Sequence, residues 1–315
     1  MYRIGIDLGG TNIAAAIVDE KFNIVNKKSI RTGADRDTKY IMDDMAELCR
    51  GVCADAGISL GEIDAIGIAS PGVANHTDGI IEYANNLPFR RFHICEELSS
   101  RLGIDNIHVE NDANAAAWGE AIAGAARGTR NSVMITLGTG VGGGVIIDGK
   151  VFSGFNYAGT ELGHVVIEMG GRQCSCGRRG CWEAYSSATA LIKMTAEKLE
   201  ECKQSGRETL MAGDAKISGR TAFKALESGD DAAKEVIDTY IAYLATGIVN
   251  MINIFQPEVL SIGGGISGEG QKLIDMMTDR IKKEQYGTDF VENTRVVIAE
   301  LGNDAGIIGA AFLGI

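Results

Sequence analysis

The amino-acid sequence predicts an α/β protein of two lobes with a zinc-binding loop, and three observations carry that reading. A chain of 315 residues exceeds what one hydrophobic core comfortably serves, which suggests two domains. Strand-like and helix-like segments alternate, and a glycine-turn hairpin occurs twice, about half the chain apart. The stretch Gly163–Ala184, GHVVIEMGGRQCSCGRRGCWEA, gathers Cys174-x-Cys176-x4-Cys181 downstream of His164.

Taken in order, Tyr2–Asp7 (YRIGID) and Asn12–Val18 (NIAAAIV) are β-like runs joined by Leu8-Gly9-Gly10-Thr11. Asn23–Ile30 follows a DEKF turn and completes an antiparallel meander. Asp37–Ala56 has helical spacing, with Ile41, Met45, Leu48 and Val52 recurring at three and four residues. Ile63–Ala69 is a buried-strand run that stops at the turn Ser70-Pro71-Gly72. Ile94–Leu102 is helical and Ile107–Val109 a short strand running into Glu110-Asn111-Asp112-Ala113-Asn114. There an Asn or Asp can cap the Ala-rich helix that extends to about Ala126.

The second half begins the same way. Ser132–Leu137 (SVMITL) is a strand, Gly138-Thr139-Gly140-Val141-Gly142 a turn, and Gly144–Ile147 the return strand. Helices are expected near 187–204, 218–228, 231–255 and 269–284, with a last one from Asp304 to Phe312. Glu258–Ile262 is a strand stopping at Gly263-Gly264-Gly265, and Arg295–Ala299 is another. The expected division is a small α/β domain over 1–115 with the C-terminal helix 300–315, and a large domain over 116–299 that carries the zinc loop.

Three soft thiolates and one imidazole suit tetrahedral zinc, and a closed set of four protein ligands is the structural kind of site. Buried cysteines are common without a metal, but Gly177, Gly180 and the arginines break this run into a loop. Glu161 and Glu183 flank the cluster, so a metal that folds the loop would also fix two acids in space.

The net charge of −12, from 30 basic and 42 acidic residues, argues against a nucleic-acid surface, which demands dense Lys and Arg. No apolar run reaches the roughly 20 residues of a membrane helix, and the chain opens directly on a strand with no signal-peptide pattern. Seven cysteines, an odd number with a metal-like cluster, fit a reducing compartment. A cytoplasmic protein is expected, with neither nucleic acid nor membrane as partner.

Consecutive glycines at a hairpin tip let backbone N–H groups approach a phosphate without Cβ obstruction. Gly9, Gly10, Thr11 and Asn12 at the first tip, and Gly138, Thr139, Gly140 and Gly142 at the second, are therefore candidate ATP contacts, together with Gly263, Gly264 and Gly265. Asp7 closes the first strand beside its tip, where a carboxylate can hold Mg²⁺ directly or through water. Neither loop is a P-loop, because G-x-x-x-x-G-K-[ST] is absent.

DLGGT (7–11), ENDANAAAWGE (110–120), TLGTGVGGG (136–144), ELGH (161–164) and CSCGRRGCWE (174–183) together resemble the ROK family of bacterial sugar kinases, and its glucokinases in particular. The resemblance covers essentially the whole chain, and the C-x-C-G-x2-G-C-x-E signature is its most specific part. It implies an actin-like, ribonuclease-H-like ATPase fold, a structural zinc on His164, Cys174, Cys176 and Cys181, and ATP with Mg²⁺ as phosphoryl donor. Carried over by position, Asp112 matches the catalytic base and Asn111 a sugar-hydroxyl ligand. Glu161, His164 and Glu183 match groups that contact sugar hydroxyls around the zinc, and Gly72 and Asn86 match sugar-pocket positions. Where the family often has Gly-Trp after NLP, this chain has Phe89-Arg90.

The implied reaction is ATP-dependent phosphorylation of D-glucose to glucose 6-phosphate by a homodimer or homotetramer. The same fold acting on N-acetylmannosamine, fructose or allose is the nearest rival. A sugar-responsive regulator of this family would place a DNA-binding helix-turn-helix ahead of the first strand, and here that strand starts at residue 2.

Overall fold

In the computed structural model all of residues 1–315 are described, and the chain forms two compact units. The first comprises Met1–Met134, Gly144–Thr160 and Glu300–Ile315; the second comprises Ile135–Gly143 and Glu161–Ala299.

The first unit is built on a five-stranded sheet. Strands β1 (Tyr2–Leu8), β2 (Asn12–Asp19) and β3 (Ile24–Arg31) form the expected meander. Helix α1 (Thr38–Ala56) then returns the chain to β4 (Ile63–Ser70). Three short strands follow, β5 (Val73–Asn75), β6 (Ile80–Tyr83) and β7 (Arg90–Phe92). Helix α2 (Ile94–Leu102) leads to β8 (Ile107–Asn111) and α3 (Asp112–Ala123). The sheet order is β3-β2-β1-β4-β8, with β1, β4 and β8 parallel. Ile4, Ile6, Ile13, Ile17, Ile66, Ile68 and Val109 bury one continuous core against Met42, Met45 and Cys49 of α1. Burial of this kind is the main favourable term in folding.

The small antiparallel sheet β5-β6-β7 has no counterpart in the sequence reading. Its strands span only three or four residues, around the polar turn Asn75-His76-Thr77-Asp78, too short for a period-2 pattern to register. Helix α3 also stops at Ala123, sooner than expected, because Gly124 leaves helical geometry.

The second half carries β9 (Ser132–Leu137), β10 (Val141–Ile147) and β11 (Lys150–Val151). After the Cys/His loop come α4 (Glu183–Ser186), α5 (Ala188–Ser205), α6 (Thr221–Glu227) and α7 (Asp231–Phe255). Strand β12 (Val259–Gly263), α8 (Gln271–Glu284), β13 (Arg295–Ile298) and α9 (Ala305–Ala311) complete the chain. The second sheet has the order β11-β10-β9-β12-β13.

Helix α9 belongs with the first unit for identifiable reasons. The indole N–H of Trp118 in α3 donates to the Phe312 carbonyl at 2.9 Å. The buried carboxylate of Glu120 accepts the backbone N–H groups of Glu300 and Leu301 at 3.1 and 2.8 Å. These bonds join α3 to the C-terminal segment, and all of α3 lies in the first compact unit, whose first stretch runs to Met134. No helix is long and apolar enough to cross a membrane.

Candidate active site

Parallel strands present their carboxyl ends along one edge, the usual ligand edge of such sheets. Register sets Asp7 beside Ala69, Ala69 beside Glu110, and Ser70 beside Asn111. Asp7, the SPG turn and the Asn111-Asp112 step thus end up on the same edge of the first sheet.

Asn111 is the N-cap of α3. Its Oδ1 accepts the backbone N–H groups of Ala113 and Asn114 at 2.9 and 3.1 Å, and its Nδ2 donates to the Gly72 carbonyl at 3.0 Å. Capping is therefore done by Asn111, which leaves Asp112 as the first helical residue, its carboxylate held by the Ala113 N–H at 2.8 Å. Asn111, expected as a sugar ligand, spends most of its hydrogen-bonding capacity on this turn. Gly72 adopts φ +90°, and a Cβ there would strike the Tyr83 carbonyl, so only glycine closes the SPG turn here.

Part of Asp112 remains open to solvent, yet the protein atoms crowding its carboxylate dominate. Burial raises its pKa above the ordinary value, against the lowering effect of the Ala113 N–H and Asn111. Desolvation outweighs these hydrogen bonds. Asp7 is raised as well, by burial first and then by the charge of Asp112, while Lys27 lowers it. An acid whose ionisation is disturbed by a neighbouring acid at a strand edge is the kind of group active sites contain.

The first glycine tip is braced from β3's end: Thr32 Oγ1 donates to the Gly9 carbonyl at 2.6 Å, and its N–H to the Thr11 carbonyl at 2.9 Å. Thr11 and Asn12 are exposed. Asn86, also exposed, lies against this hairpin, its Cβ 3.2 Å from where a Cβ on Gly10 would sit. The Arg90 guanidinium donates to the carbonyls of Ala84, Leu87 and Phe89 at 2.5, 3.2 and 2.6 Å, and Phe89 is fully buried. Phe89-Arg90 thus fixes the turn that carries Asn86.

In the second unit the second tip docks on the start of α5. The Gly138 carbonyl accepts the Ala188 N–H at 2.9 Å, and the Thr139 carbonyl accepts the Thr189 hydroxyl at 2.8 Å. Gly264 sits against the end of β9, at φ +83° with room for no Cβ, which would lie 2.6 Å from the Leu137 backbone. The third glycine knot, Gly263-Gly264-Gly265, therefore adjoins the end of β9 just ahead of the Gly138-Thr139-Gly140-Val141-Gly142 turn.

His164 ends a 3₁₀ turn, Leu162–His164, that follows Glu161. The ligand atoms of His164, Cys174, Cys176 and Cys181 lie within 4.8 Å of one another. Cys174 Sγ is 3.7 Å from His164 Nδ1, and Cys176 Sγ is 3.7 Å from Cys181 Sγ. Tetrahedral zinc with Zn–S near 2.3 Å and Zn–N near 2.05 Å needs S–S and S–N edges of roughly 3.8 and 3.6 Å, so the donor set fits that ion. Burial first, then the neighbouring sulfurs, pushes the Cys181 thiol up to about 12; the Arg178 N–H lowers Cys176. Crowded thiols of this kind ionise together only around a cation.

The loop is anchored by Trp182, which is fully buried and donates to the Tyr243 carbonyl of α7 at 3.2 Å. Glu183 follows. Its Oε2 accepts the Val141 N–H at 3.1 Å, and its Oε1 accepts the Ser175 hydroxyl at 3.1 Å. This acid ties the Cys/His loop to the second glycine turn, a role its sequence position does not disclose. Sequence reasoning also passes over His76, Asn114 and Thr160, and takes Glu110 only as part of a motif. A buried acid at the end of an apolar strand is the signal that marks it.

A sequence profile of the ROK family matches residues 3–315. The chain is 35% identical over 313 residues to a glucokinase from Streptomyces coelicolor, covering 98% of this chain and 96% of that protein. It is 36% identical over 309 residues to a glucokinase from Thermotoga maritima, covering 98% and 95%. The crystal structure of a ROK family glucokinase from Streptomyces griseus in complex with glucose and AMPPNP superposes with a TM-score of 0.80 at 31% identity, covering 99% of each chain. With the profile spanning residues 3–315, the chain belongs to the ROK family.

Proposed function

We propose that this chain transfers the γ-phosphoryl group of ATP to the 6-hydroxyl of D-glucose, with Asp112 as the general base. The observation that carries the assignment is the placement of Asp112. It sits at the carboxyl end of β8, relieved of capping by Asn111, with its pKa raised by burial. A base whose pKa moves toward the working pH accepts a proton more effectively in the transition state.

Phosphoryl transfer needs positioning, charge neutralisation and a group that takes the hydroxyl proton. Backbone N–H groups of Gly9, Gly10, Thr11 and Asn12, and of Gly138, Thr139, Gly140, Gly142, Gly263, Gly264 and Gly265, are the proposed phosphate contacts. Asp7 is the proposed Mg²⁺ anchor. When bound, Mg²⁺ neutralises phosphate charge and zinc fixes the fold of the Cys/His loop. The proposed sugar ligands are Gly72, Asn86 and Asn111 in the first unit and Glu161, His164 and Glu183 in the second. Asp112 orients the 6-hydroxyl, accepts its proton as the O–P bond forms, and leaves ADP as the departing group.

The test is a panel of free sugars, glucose, N-acetylmannosamine, N-acetylglucosamine, fructose and allose, with ATP and Mg²⁺, read by ADP release. Glucose is expected to give the highest kcat/KM. Turnover of N-acetylmannosamine with no turnover of glucose would move the substrate while keeping the kinase chemistry.

A further inference from the structure

Glu110 is only 3% accessible and has no part in the chemistry described so far. Its Oε1 accepts the Asn111 N–H at 2.9 Å and the Asn114 Nδ2–H at 3.1 Å. Its Oε2 accepts Nδ1–H of His76 at 3.0 Å. Asn114, itself 1% accessible, accepts the Thr160 hydroxyl at 3.0 Å and gives its own N–H to the Asn111 cap at 3.1 Å. Thr160 adopts φ +64°, an uncommon state for a β-branched residue, and the next residue is Glu161. One buried carboxylate therefore reaches the turn holding Asp112, the first helical turn of α3, and the residue before a proposed sugar acid.

Stability alone gives little reason for this arrangement. A buried charge costs heavily unless fully paired, and well-packed apolar groups often serve the fold as well. Two of the three partners of Glu110, Asn111 and Asn114, lie in the turn that carries Asp112. We infer that Glu110, steadied by His76, is a positioning residue that fixes the orientation of Asp112 for phosphoryl transfer.

His76 is suited to that task. Its ring meets Tyr157 edge-on, centroids 4.8 Å apart, and the Tyr157 hydroxyl is 2.7 Å from the Thr77 hydroxyl. The hydrogen bond to Glu110 is the main cause of the raised pKa of His76, ahead of the opposing effect of burial. The inference rests on the assignment of Asp112 as base, so its test includes a measurement independent of turnover.

The experiment compares Glu110→Ala, Glu110→Gln and His76→Phe in the full-length protein. Gln can accept the Asn111 and Asn114 donors and give one N–H to His76, so it preserves the network without the charge. Misplacement of a reacting group by about 1 Å can cost ~10²-fold. Glu110→Ala is expected to lower kcat by about that factor while the calorimetric glucose Kd stays within about threefold. Glu110→Gln is expected to recover most of the loss. His76→Phe, at a half-exposed position where misfolding is not expected, should lower kcat several-fold at unchanged glucose Kd.

Amide hydrogen exchange supplies the independent readout. The Ala113 and Asn114 N–H groups should exchange faster in Glu110→Ala than in wild type, and at the wild-type rate in Asp112→Asn. Normal kcat in both Glu110→Ala and His76→Phe overturns the inference, as does a Gln variant no better than Ala in equally folded proteins. If Glu110→Ala does not fold, His76→Phe decides: an unchanged kcat there overturns it. Should Asp112→Asn retain full kcat, the base assignment falls, whereas faster Ala113 exchange in Glu110→Ala still locates the network's effect at that turn.

Discussion

Asp7 and Asp112 repel each other across the carboxyl ends of β1 and β8: after burial, the charge of Asp112 is what holds the Asp7 carboxyl above its ordinary range. If Asp112 is the base, its ionisation sets the acid limb of the activity. The base must be ionised to accept a proton, so kcat/KM should fall as pH drops, beginning above the ordinary aspartate range, because both pKa shifts are upward. Asp7→Asn removes the proposed Mg²⁺ anchor and should raise the Mg²⁺ needed for half-maximal rate several-fold. Glucose affinity should stay near that of the wild type. The measurement is a pH–rate profile of both proteins at saturating and limiting Mg²⁺. An unchanged Mg²⁺ requirement in Asp7→Asn would remove Asp7 from the role of Mg²⁺ anchor.

The same shift has a consequence for stability, with a definite sign. The folded-state pKa of Asp112 lies above its unfolded value, so the native state binds protons more tightly. Its contribution is fully present below the unfolded pKa and is lost as pH rises through the folded one. At neutral pH the ionisation of Asp112 therefore works against the fold. Asp112→Asn should raise Tm at pH 7 and show a smaller or no gain near pH 3.5. Thermal unfolding followed by circular dichroism at the two pH values checks this; an equal Tm change at both would place the cause outside ionisation.

The Cys/His loop yields a prediction about metal. Thiol and imidazole atoms 3.7 Å apart already match the edges of a zinc tetrahedron, and the loop they close carries Glu183, which holds the Val141 N–H. Purified protein should contain one zinc per chain. Cys176→Ser, at an exposed position, should lose it and unfold at a lower temperature, because metal-binding energy is folding energy. Chelation of the wild type should mimic the variant, weakening ATP use together with glucose use, since Glu183 links the loop to the second glycine turn. Fully active wild-type protein free of metal by elemental analysis would contradict the assignment.

The fold was legible because its elements are long and periodic. Ile41, Met45, Leu48 and Val52 mark α1, and the paired glycine turns mark both hairpins. The Cys/His set was legible because those donors seldom occur together by chance at loop spacing. Three things stayed hidden for physical reasons. Strands β5 to β7 are too short to show a pattern. The division of labour between Asn111 and Asp112 depends on hydrogen bonds that two adjacent capping residues satisfy equally well on paper. The His76–Glu110 contact joins residues 34 apart in sequence, the turn after β5 to the end of β8, and nothing local announces it. Burial likewise decides the pKa of Asp112, and burial is a property of the packed molecule.

The base assignment is tested most directly by Asp112→Asn. The amide keeps the shape of the carboxylate and can still accept the Ala113 N–H that Asp112 takes at 2.8 Å. Asn111 continues to cap α3 through Ala113 and Asn114, so the helix start should not change. What is lost is the proton acceptor, and general-base catalysis of this kind contributes typically ~10²–10⁴-fold. The expected result is a fall in kcat within that range with calorimetric glucose binding nearly intact, the signature of an interaction needed only in the transition state. A group that merely held the sugar would show the reverse, a weakened Kd with kcat largely kept. Steady-state kinetics and glucose titrations on the same preparation separate the two, and near-normal kcat in Asp112→Asn would remove Asp112 from the role of base.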